Sequence, residues 1–147
     1  MIQTKGTLVE GLQVGDRAAY SHTFSHSEVV LFGGLTADGN PYHHDAEFAR
    51  ASRFGRPIVH GLLVGAMLTH VGGQWAWLAS SMAFEFLAPV FVGDTVSLEV
   101  TVDARNERGK YTASARWVNQ DGLEVLRATL EGYPPTAEQR ALLARAP

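Results

Sequence analysis

The segment from Val59 to Val71 constrains the fold of this chain more than any other, because almost all of its residues are apolar. A helix that is apolar on all sides is buried on all sides, so the rest of the chain has to enclose it. The glycines at Gly72 and Gly73 favour a helix end at that point. We therefore expect a long central helix over Val59–Val71, with a second layer of structure wrapped around it.

The chain after this helix has the pattern of long antiparallel strands. In Thr95–Arg105 apolar residues alternate with polar ones, which indicates a sheet with one buried face. A hairpin turn at Asn106–Gly109 leads into a strand over Lys110–Asn119, and a second turn at Gln120–Gly122 leads into Leu123–Tyr133. Three strands joined by tight turns form an antiparallel meander. The predicted fold class is therefore α+β, an antiparallel sheet wrapped around a long central helix.

The chain before the central helix predicts one strand and one helix. Residues Asp16–Phe24 alternate well enough for a strand. Ser25 and Glu28 have the spacing of a capping box, which starts a helix. Residues at helical spacing predict the buried stripe of this helix, namely Val29, Phe32 and Leu35.

Shorter elements complete the predicted fold. Asp45 is a suitable N-cap for a helix over Ala46–Ala51, and Thr136 begins a capping box for a short C-terminal helix. A strand is expected over Ser81–Leu87, and Met1–Val14 is expected to form an extended arm.

Length, composition and charge restrict the class of protein. The 147 residues suit one domain over 1–147, with its core at about 14–133. A hydrophobic content of 46% is ordinary for a soluble protein, and the net charge of −3 offers no general attraction to nucleic acid or to an anionic membrane. The chain has no cysteine and no apolar leader, so we expect a cytoplasmic protein without thiol chemistry.

The segment Asp-Gly-Asn-Pro-Tyr-His, from Asp38 to His43, combines a carboxylate and an imidazole with residues that fix the backbone. Pro41 excludes a continuous helix, because it lacks an N–H and pushes Asn40 out of the helical region. The chain is expected to turn sharply and to bring His43 back beside Asp38, where the pair could handle a proton at neutral pH. The same residues also suit a turn without chemistry, and their spacing alone does not decide between the two.

Two separated motifs resemble a known family. Ala-Asp-Gly-Asn-Pro-Tyr-His at Ala37–His43, a Phe-Ala pair at 48–49, and Arg-Pro-Ile-Val-His-Gly at Arg56–Gly61 resemble the hydratase-2 motif of the MaoC-like dehydratases, also called (R)-specific enoyl-CoA hydratases. Pro89–Asp94 is similar to a later turn of that family. The resemblance covers the chain from Val14 to Tyr133.

This resemblance implies the hot-dog fold and a homodimer with the active site near the subunit interface. It implies hydration of trans-2-enoyl thioesters of coenzyme A or acyl carrier protein to (R)-3-hydroxyacyl thioesters, or the reverse dehydration. The residues that match the family's aspartate and histidine, Asp38 and His43, would hold and polarise one water. The residue that matches Gly61 would offer its backbone N–H to the thioester oxygen. We expect no cofactor beyond the thioester carrier, and no metal.

Three further residues are expected near this site. Asn40 suits holding the turn through side-chain hydrogen bonds. His60 is expected to orient the loop rather than to act as a base, and Thr69 stands where some relatives carry a serine. The other histidines that we interpret as structural or surface residues are His22, His26 and His70.

Three other functions are compatible with parts of the sequence. A hot-dog thioesterase would also use an activated water, but would attack the carbonyl carbon. A non-catalytic acyl-thioester-binding subunit would keep the fold without the chemistry, although the joint presence of the motif residues argues against it. A metal site at His43, His44 and Asp45 would require a distant ligand, because adjacent residues rarely converge on one ion.

The connection from Gly72 to Ser81 contains two tryptophans, Trp75 and Trp77, and is expected to be a short loop. Two indoles there would border the acyl pocket or the dimer interface. A short loop would leave room only for short or compact acyl groups.

Overall fold

The computed structural model describes residues 10–145. Its strands are β1 (Arg17–Thr23), β2 (Leu78–Phe86), β3 (Thr95–Arg105), β4 (Tyr111–Asn119) and β5 (Glu124–Tyr133). Its helices are α1 (His26–Thr36), α2 (Pro41–His44), α3 (Ala46–Ala51), α4 (Gly61–Gly65), α5 (Met67–Trp75) and α6 (Ala137–Ala144). No helix among residues 10–145 is both long and apolar enough to cross a bilayer.

The strands form one antiparallel sheet in the order β1-β3-β4-β5-β2. The predicted meander of β3, β4 and β5 is confirmed, and the predicted alternation in β3 is confirmed as well. Side chains of β3 and β4 that point to the central helices are buried, with exposed fractions of 7% or less: Val96, Leu98, Val100, Val102, Tyr111, Ala113, Ala115 and Trp117. This apolar face of the sheet encloses the central helices, as the sequence predicts.

The central helix differs from the prediction in its bounds and its continuity. It begins at Gly61, is interrupted at Ala66, and continues through both glycines to Trp75. A tight turn causes the interruption, because the Thr69 N–H and hydroxyl both bond to the Ala66 carbonyl, at 2.9 and 2.7 Å. The helix ends at Ala76, whose left-handed backbone (φ 47°) lets its N–H bond to carbonyls of the last turn. The glycines at 72 and 73 therefore do not set the end.

Burial of the central helices is one-sided in this chain. Val64, Met67, Leu68, Val71 and Trp75 are buried against the sheet. The opposite side is exposed and includes Leu62, which is 59% exposed, together with Thr69 and His70. The expectation that this segment is buried on every side is therefore wrong for the single chain. The indole of Trp117 ties sheet to helix, because its Nε1–H donates to the Val64 carbonyl at 3.1 Å.

The helix starts predicted from capping residues are confirmed. Ser25 and Glu28 form a capping box at α1, Asp45 caps α3 through two backbone N–H groups, and Thr136 opens a capping box at α6. The predicted buried stripe of α1 is wrong at Leu35, which is 81% exposed. Leu35 lies six residues after Val29, whereas a helix brings position i+4 back to the same face, and that position is Gly33.

The connection before β2 is shorter than predicted. Residues 72–75 belong to α5 and β2 starts at Leu78, so only Ala76 and Trp77 connect the two elements. The predicted loop over residues 72–81 is thus reduced to a two-residue connection, and the preference for compact acyl groups stays a prediction. Of the predicted N-terminal arm, residues 1–9 lie outside the described part, and Leu12 is buried with its carbonyl accepting the Tyr111 hydroxyl at 2.9 Å.

Candidate active site

The turn between α1 and α2 brings a carboxylate and an imidazole together. Helix α1 ends at Ala37, which has a left-handed backbone (φ 57°), and Asn40 caps α2 by accepting the Tyr42 N–H at 3.2 Å. Pro41 takes the first position of α2, where its missing N–H costs nothing. As a result His43 Nε2 lies 3.9 Å from Asp38 Oδ2.

Asp38 is held as a carboxylate with one oxygen available. Its Oδ1 accepts the Asn40 N–H at 2.9 Å, and this backbone bond is the largest cause that lowers the Asp38 pKa. Partial burial opposes the shift, while the nearby histidines add to it. Oδ2 faces the two imidazoles of His43 and His60.

The tautomer of His43 follows from its hydrogen bond to the backbone. Nδ1 lies 2.8 Å from the Ile58 carbonyl, which can only accept, so Nδ1 carries the proton. In the neutral ring Nε2 is then an unprotonated acceptor, and it is the nitrogen that faces Asp38. The Ile58 N–H in turn donates to the Tyr42 carbonyl at 3.0 Å, which locks this segment beside α2.

His44 supports the turn from behind, a role that sequence reasoning missed. Its Nε2–H donates to the Asp38 backbone carbonyl at 2.9 Å. A Cβ at Gly33 would lie 2.6 Å from the His44 ring, so glycine at this position makes room for the imidazole. Gly33 was the only feature of the sequence that pointed to this contact, because a glycine within a helix indicates close packing, but it does not identify His44 as the packing residue.

His60 lies in the site itself rather than behind the loop. Its side chain is 2% exposed, and its Nε2 lies 3.6 Å from Asp38 Oδ2. The His60 ring centroid is 4.0 Å from that of His43. Neither ring nitrogen of His60 has a hydrogen-bond partner among the described residues. Burial is the largest cause that lowers the His60 pKa, and His43 adds to it against the opposing charge of Asp38.

The lowered pKa of His60 predicts how stability depends on pH. In the unfolded chain His60 takes up a proton near pH 6.5, whereas in the folded protein it resists protonation. The free energy of unfolding should therefore fall as the pH drops from 7 to 5. We expect His60→Gln to reduce this slope, measured by urea unfolding at several pH values. His26→Gln, at an exposed position, is the matched control, and equal slopes in all three proteins would contradict the prediction.

Gly61 joins two cavities. One of about 340 Å³ contains Asp38, His43 and His60, and the other, of about 550 Å³, runs along the loop after β2. Gly61 and Phe86 line both. Gly61 is also the first residue of α4, before the Leu63 and Val64 N–H groups that bond to the His60 carbonyl. Its own N–H is one of those that a helix start leaves without an intrahelical partner.

Thr69 is not brought to this site. Its hydroxyl donates to the Ala66 carbonyl, and its side chain lines a separate cavity of about 400 Å³ with Trp75 and Trp77. The two tryptophans border this cavity, whereas the sequence predicted them at the acyl pocket or the dimer interface. It is a different cavity from the one that contains Asp38 and His43.

The set of side chains that could hold a metal differs from the one weighed on sequence. Ligand atoms of Asp38, His43 and His60 lie within 4.8 Å of one another. By contrast, His44 is bonded to the Asp38 carbonyl, and Asp45 accepts two backbone N–H groups of α3. The adjacent residues 43–45 therefore do not converge on one point.

The chain is similar in sequence to hydratases and dehydratases. The chain is 38% identical over 120 residues to an (R)-specific enoyl-CoA hydratase of Aeromonas caviae, which covers 77% of this chain and 88% of the relative. It is 32% identical over 123 residues to a mitochondrial 3-hydroxyacyl-[acyl-carrier-protein] dehydratase of Solanum lycopersicum, over 78% of this chain and 73% of the relative.

The fold agrees as well. The solved structure of the (R)-hydratase from A. caviae involved in PHA biosynthesis superposes with a TM-score of 0.80 at 34% identity, covering 86% of this chain and 99% of that one. The fold is thus the predicted hot-dog fold, a sheet wrapped around a central helical segment. The model of the MaoC like domain matches residues 13–120. On its sequence and its fold, the chain belongs to the MaoC-like dehydratase family.

Proposed function

We propose that this protein adds water to trans-2-enoyl thioesters to give (R)-3-hydroxyacyl thioesters, and catalyses the reverse dehydration. The observation that carries the proposal is the convergence of the Asp38 carboxylate, whose pKa is lowered, and the Nε2 edge of the His43 ring in one cavity. The names of its relatives, enoyl-CoA hydratases and 3-hydroxyacyl dehydratases, support the same reaction, which makes the chain a lyase.

The distance between the two groups suits a shared water. At 3.9 Å, Asp38 Oδ2 and His43 Nε2 are too far apart for a direct hydrogen bond. A water between them would donate one proton to each acceptor. Its oxygen would then attack C3 of the enoyl group, while His43 takes the proton and Asp38 stabilises the resulting imidazolium. The same imidazolium returns the proton to C2, so that the elements of one water are added.

The enolate oxygen formed by this attack needs a hydrogen-bond donor. Gly61 supplies a backbone N–H at the start of α4, at the junction of the two cavities. The helix dipole favours negative charge at that end, and the N–H is in place before the charge develops. The carbonyl oxygen of one substrate would thus point to Gly61, and its C3 would point to Asp38 and His43, here called the dyad.

The proposed reaction needs no cofactor besides the thioester carrier, coenzyme A or acyl carrier protein. Proton transfer and oxyanion stabilisation are both assigned to side chains and backbone of this chain. His60, whose lowered pKa favours the neutral ring, faces Asp38 Oδ2 without adding a second positive charge.

Incubation with crotonyl-CoA tests the proposal. We expect loss of the enoyl-thioester absorbance without release of free thiol. Release of thiol would instead identify a thioesterase, and binding without turnover would identify a non-catalytic acyl-thioester-binding subunit. The match of Ala37–His43 to the hydratase motif and the names of the relatives favour the hydratase.

We also propose that the protein is a homodimer. β2 is an edge strand of the sheet, and its large apolar side chains are uncovered: Leu78 is 74%, Met82 45% and Phe86 58% exposed. Natural proteins usually cover or pair such an edge. We expect a dimer mass by sedimentation equilibrium at micromolar concentration. Met82→Lys should shift the mass toward the monomer, whereas Val14→Lys, at an exposed apolar residue outside the strands, should not. A monomeric native protein would contradict the proposal.

A further inference from the structure

Two arginines stack on aromatic rings that line the larger cavity. The guanidinium of Arg53 lies 4.8 Å from the ring centroid of Phe54, and that of Arg56 lies 3.8 Å from the ring centroid of Phe91. Arg53 and both phenylalanines line this cavity, whose volume is about 550 Å³. Gly61, whose N–H is proposed to bind the thioester oxygen, also lines this cavity.

Within residues 10–145 neither arginine has a carboxylate partner. Among residues 10–145 every ion pair within 4.0 Å of an arginine involves Arg17, Arg116 or Arg127. Arg53 and Arg56 are both exposed. Stacking on a ring holds a guanidinium in place while leaving its N–H edge free to bind an anion. Arg53 lines the cavity and Arg56 stacks on Phe91, which lines it, so two positive charges lie close together in a chain whose net charge is −3.

The position of the arginines fits the shape of a carrier thioester. Arg56 is five residues from Gly61, so even a fully extended chain separates them by at most roughly 18 Å. An extended pantetheine arm has a comparable length, and it carries the thioester at one end and a phosphate at the other. Apolar walls over most of the cavity suit the arm, and guanidinium groups suit the phosphate.

We propose that Arg53 and Arg56 bind the phosphate groups of the carrier and so make the enzyme selective for phosphorylated pantetheine thioesters. The inference rests on the proposed function, because it assigns the carrier end of the same substrate. The two arginines do not touch the reacting atoms, so they act on substrate binding and leave the proton transfers to Asp38 and His43.

The test compares substrates with and without phosphate. In the double variant Arg53→Gln/Arg56→Gln we expect kcat/KM for crotonyl-CoA to fall at least about tenfold through a higher KM, with kcat retained. Turnover of the crotonyl thioester of N-acetylcysteamine, which has no phosphate, should keep its native kcat/KM. Added salt should raise the KM for crotonyl-CoA in the native protein and have little effect in the variant.

A third substrate identifies which phosphate is bound. If crotonyl-4′-phosphopantetheine loses as much kcat/KM as crotonyl-CoA, the arginines bind the pantetheine phosphate, which acyl carrier protein shares. If it loses much less, they bind the nucleotide phosphates of coenzyme A. Arg108→Gln is the matched control, because Arg108 is exposed in the β3–β4 turn, away from the cavity, and has no ion pair among the described residues.

Two results would overturn the inference: an unchanged KM for crotonyl-CoA in the double variant, or an equal loss with the phosphate-free substrate. Failure of the proposed function is a separate outcome, seen as absence of turnover by the native protein with every enoyl thioester. In that case calorimetric binding of coenzyme A still decides, because the native protein should bind it at least about tenfold more tightly than the double variant.

Discussion

Replacement of Asp38 by asparagine should lower kcat for enoyl-thioester hydration by about 10²–10⁴-fold, the range expected for a positioned acid or base. Asparagine keeps the size of the side chain and its oxygen can still accept the Asn40 N–H, so the turn should survive. What is lost is the negative charge that orients the water and stabilises a protonated His43. We expect unchanged melting behaviour together with the loss in kcat, measured with crotonyl-CoA.

His43→Ala should produce a loss of similar size, because it removes the imidazole that is proposed to take the proton from the water beside Asp38 Oδ2. The double variant should lose little more than either single variant, since one water depends on both groups. Additive losses would mean that the two side chains do not act on the same water.

Three histidines outside the site serve as controls. His22 is bonded to Glu28 at 2.6 Å, His70 is stacked on Tyr20 with ring centroids 4.1 Å apart, and His26 is exposed. Alanine at these positions should change activity only in proportion to any change in stability. If Asp38→Asn or His43→Ala kept near-native hydration at unchanged stability, the two residues would be turn residues without a catalytic role.

The approach of Asp38 to His43 could be predicted because it depends on local backbone rules. Pro41 and Asn40 prevent a continuous helix, and the chain between the two functional groups is too short to do anything but turn. The strands β3 and β4 could be predicted for a similar reason, because successive side chains of a strand point to opposite faces and apolar and polar residues therefore alternate along the sequence.

The place of His60 could not be predicted because it depends on distant contacts. The extended segment before α4 is fixed by the bond from the Val59 N–H to the Val90 carbonyl at 2.7 Å and by the bond from Ile58 to Tyr42. These hydrogen-bond partners are distant in sequence, so no local sequence pattern predicts them. The interruption at Ala66 is similar, because an apolar run predicts burial but not where a helix turns tightly.

Gly61→Ala should lower kcat/KM by roughly 10²-fold, the cost of a displacement of about 1 Å at a reacting centre. A Cβ at Gly61 would lie 2.5 Å from the Phe86 ring, at the junction between the cavity that contains Asp38 and His43 and the larger cavity. The backbone N–H would remain, so a loss of activity would show that the thioester has to approach this backbone closely. Gly34→Ala is the matched control, because a Cβ at Gly34 meets nothing within 4 Å and the residue lies in helix α1.

The combination Gly61→Ala/Phe86→Ala separates two causes of that loss. Phe86 is 58% exposed in the single chain, so its ring can be removed or displaced without opening the core of the subunit, and the mass of Phe86→Ala shows whether the proposed dimer is kept. If the methyl group obstructs the substrate, the double variant should remain as inactive as Gly61→Ala alone. If glycine is needed only to accommodate the Phe86 ring, the double variant should have the kcat/KM of Phe86→Ala, and the proposed contact between the thioester oxygen and the Gly61 N–H would lose its support.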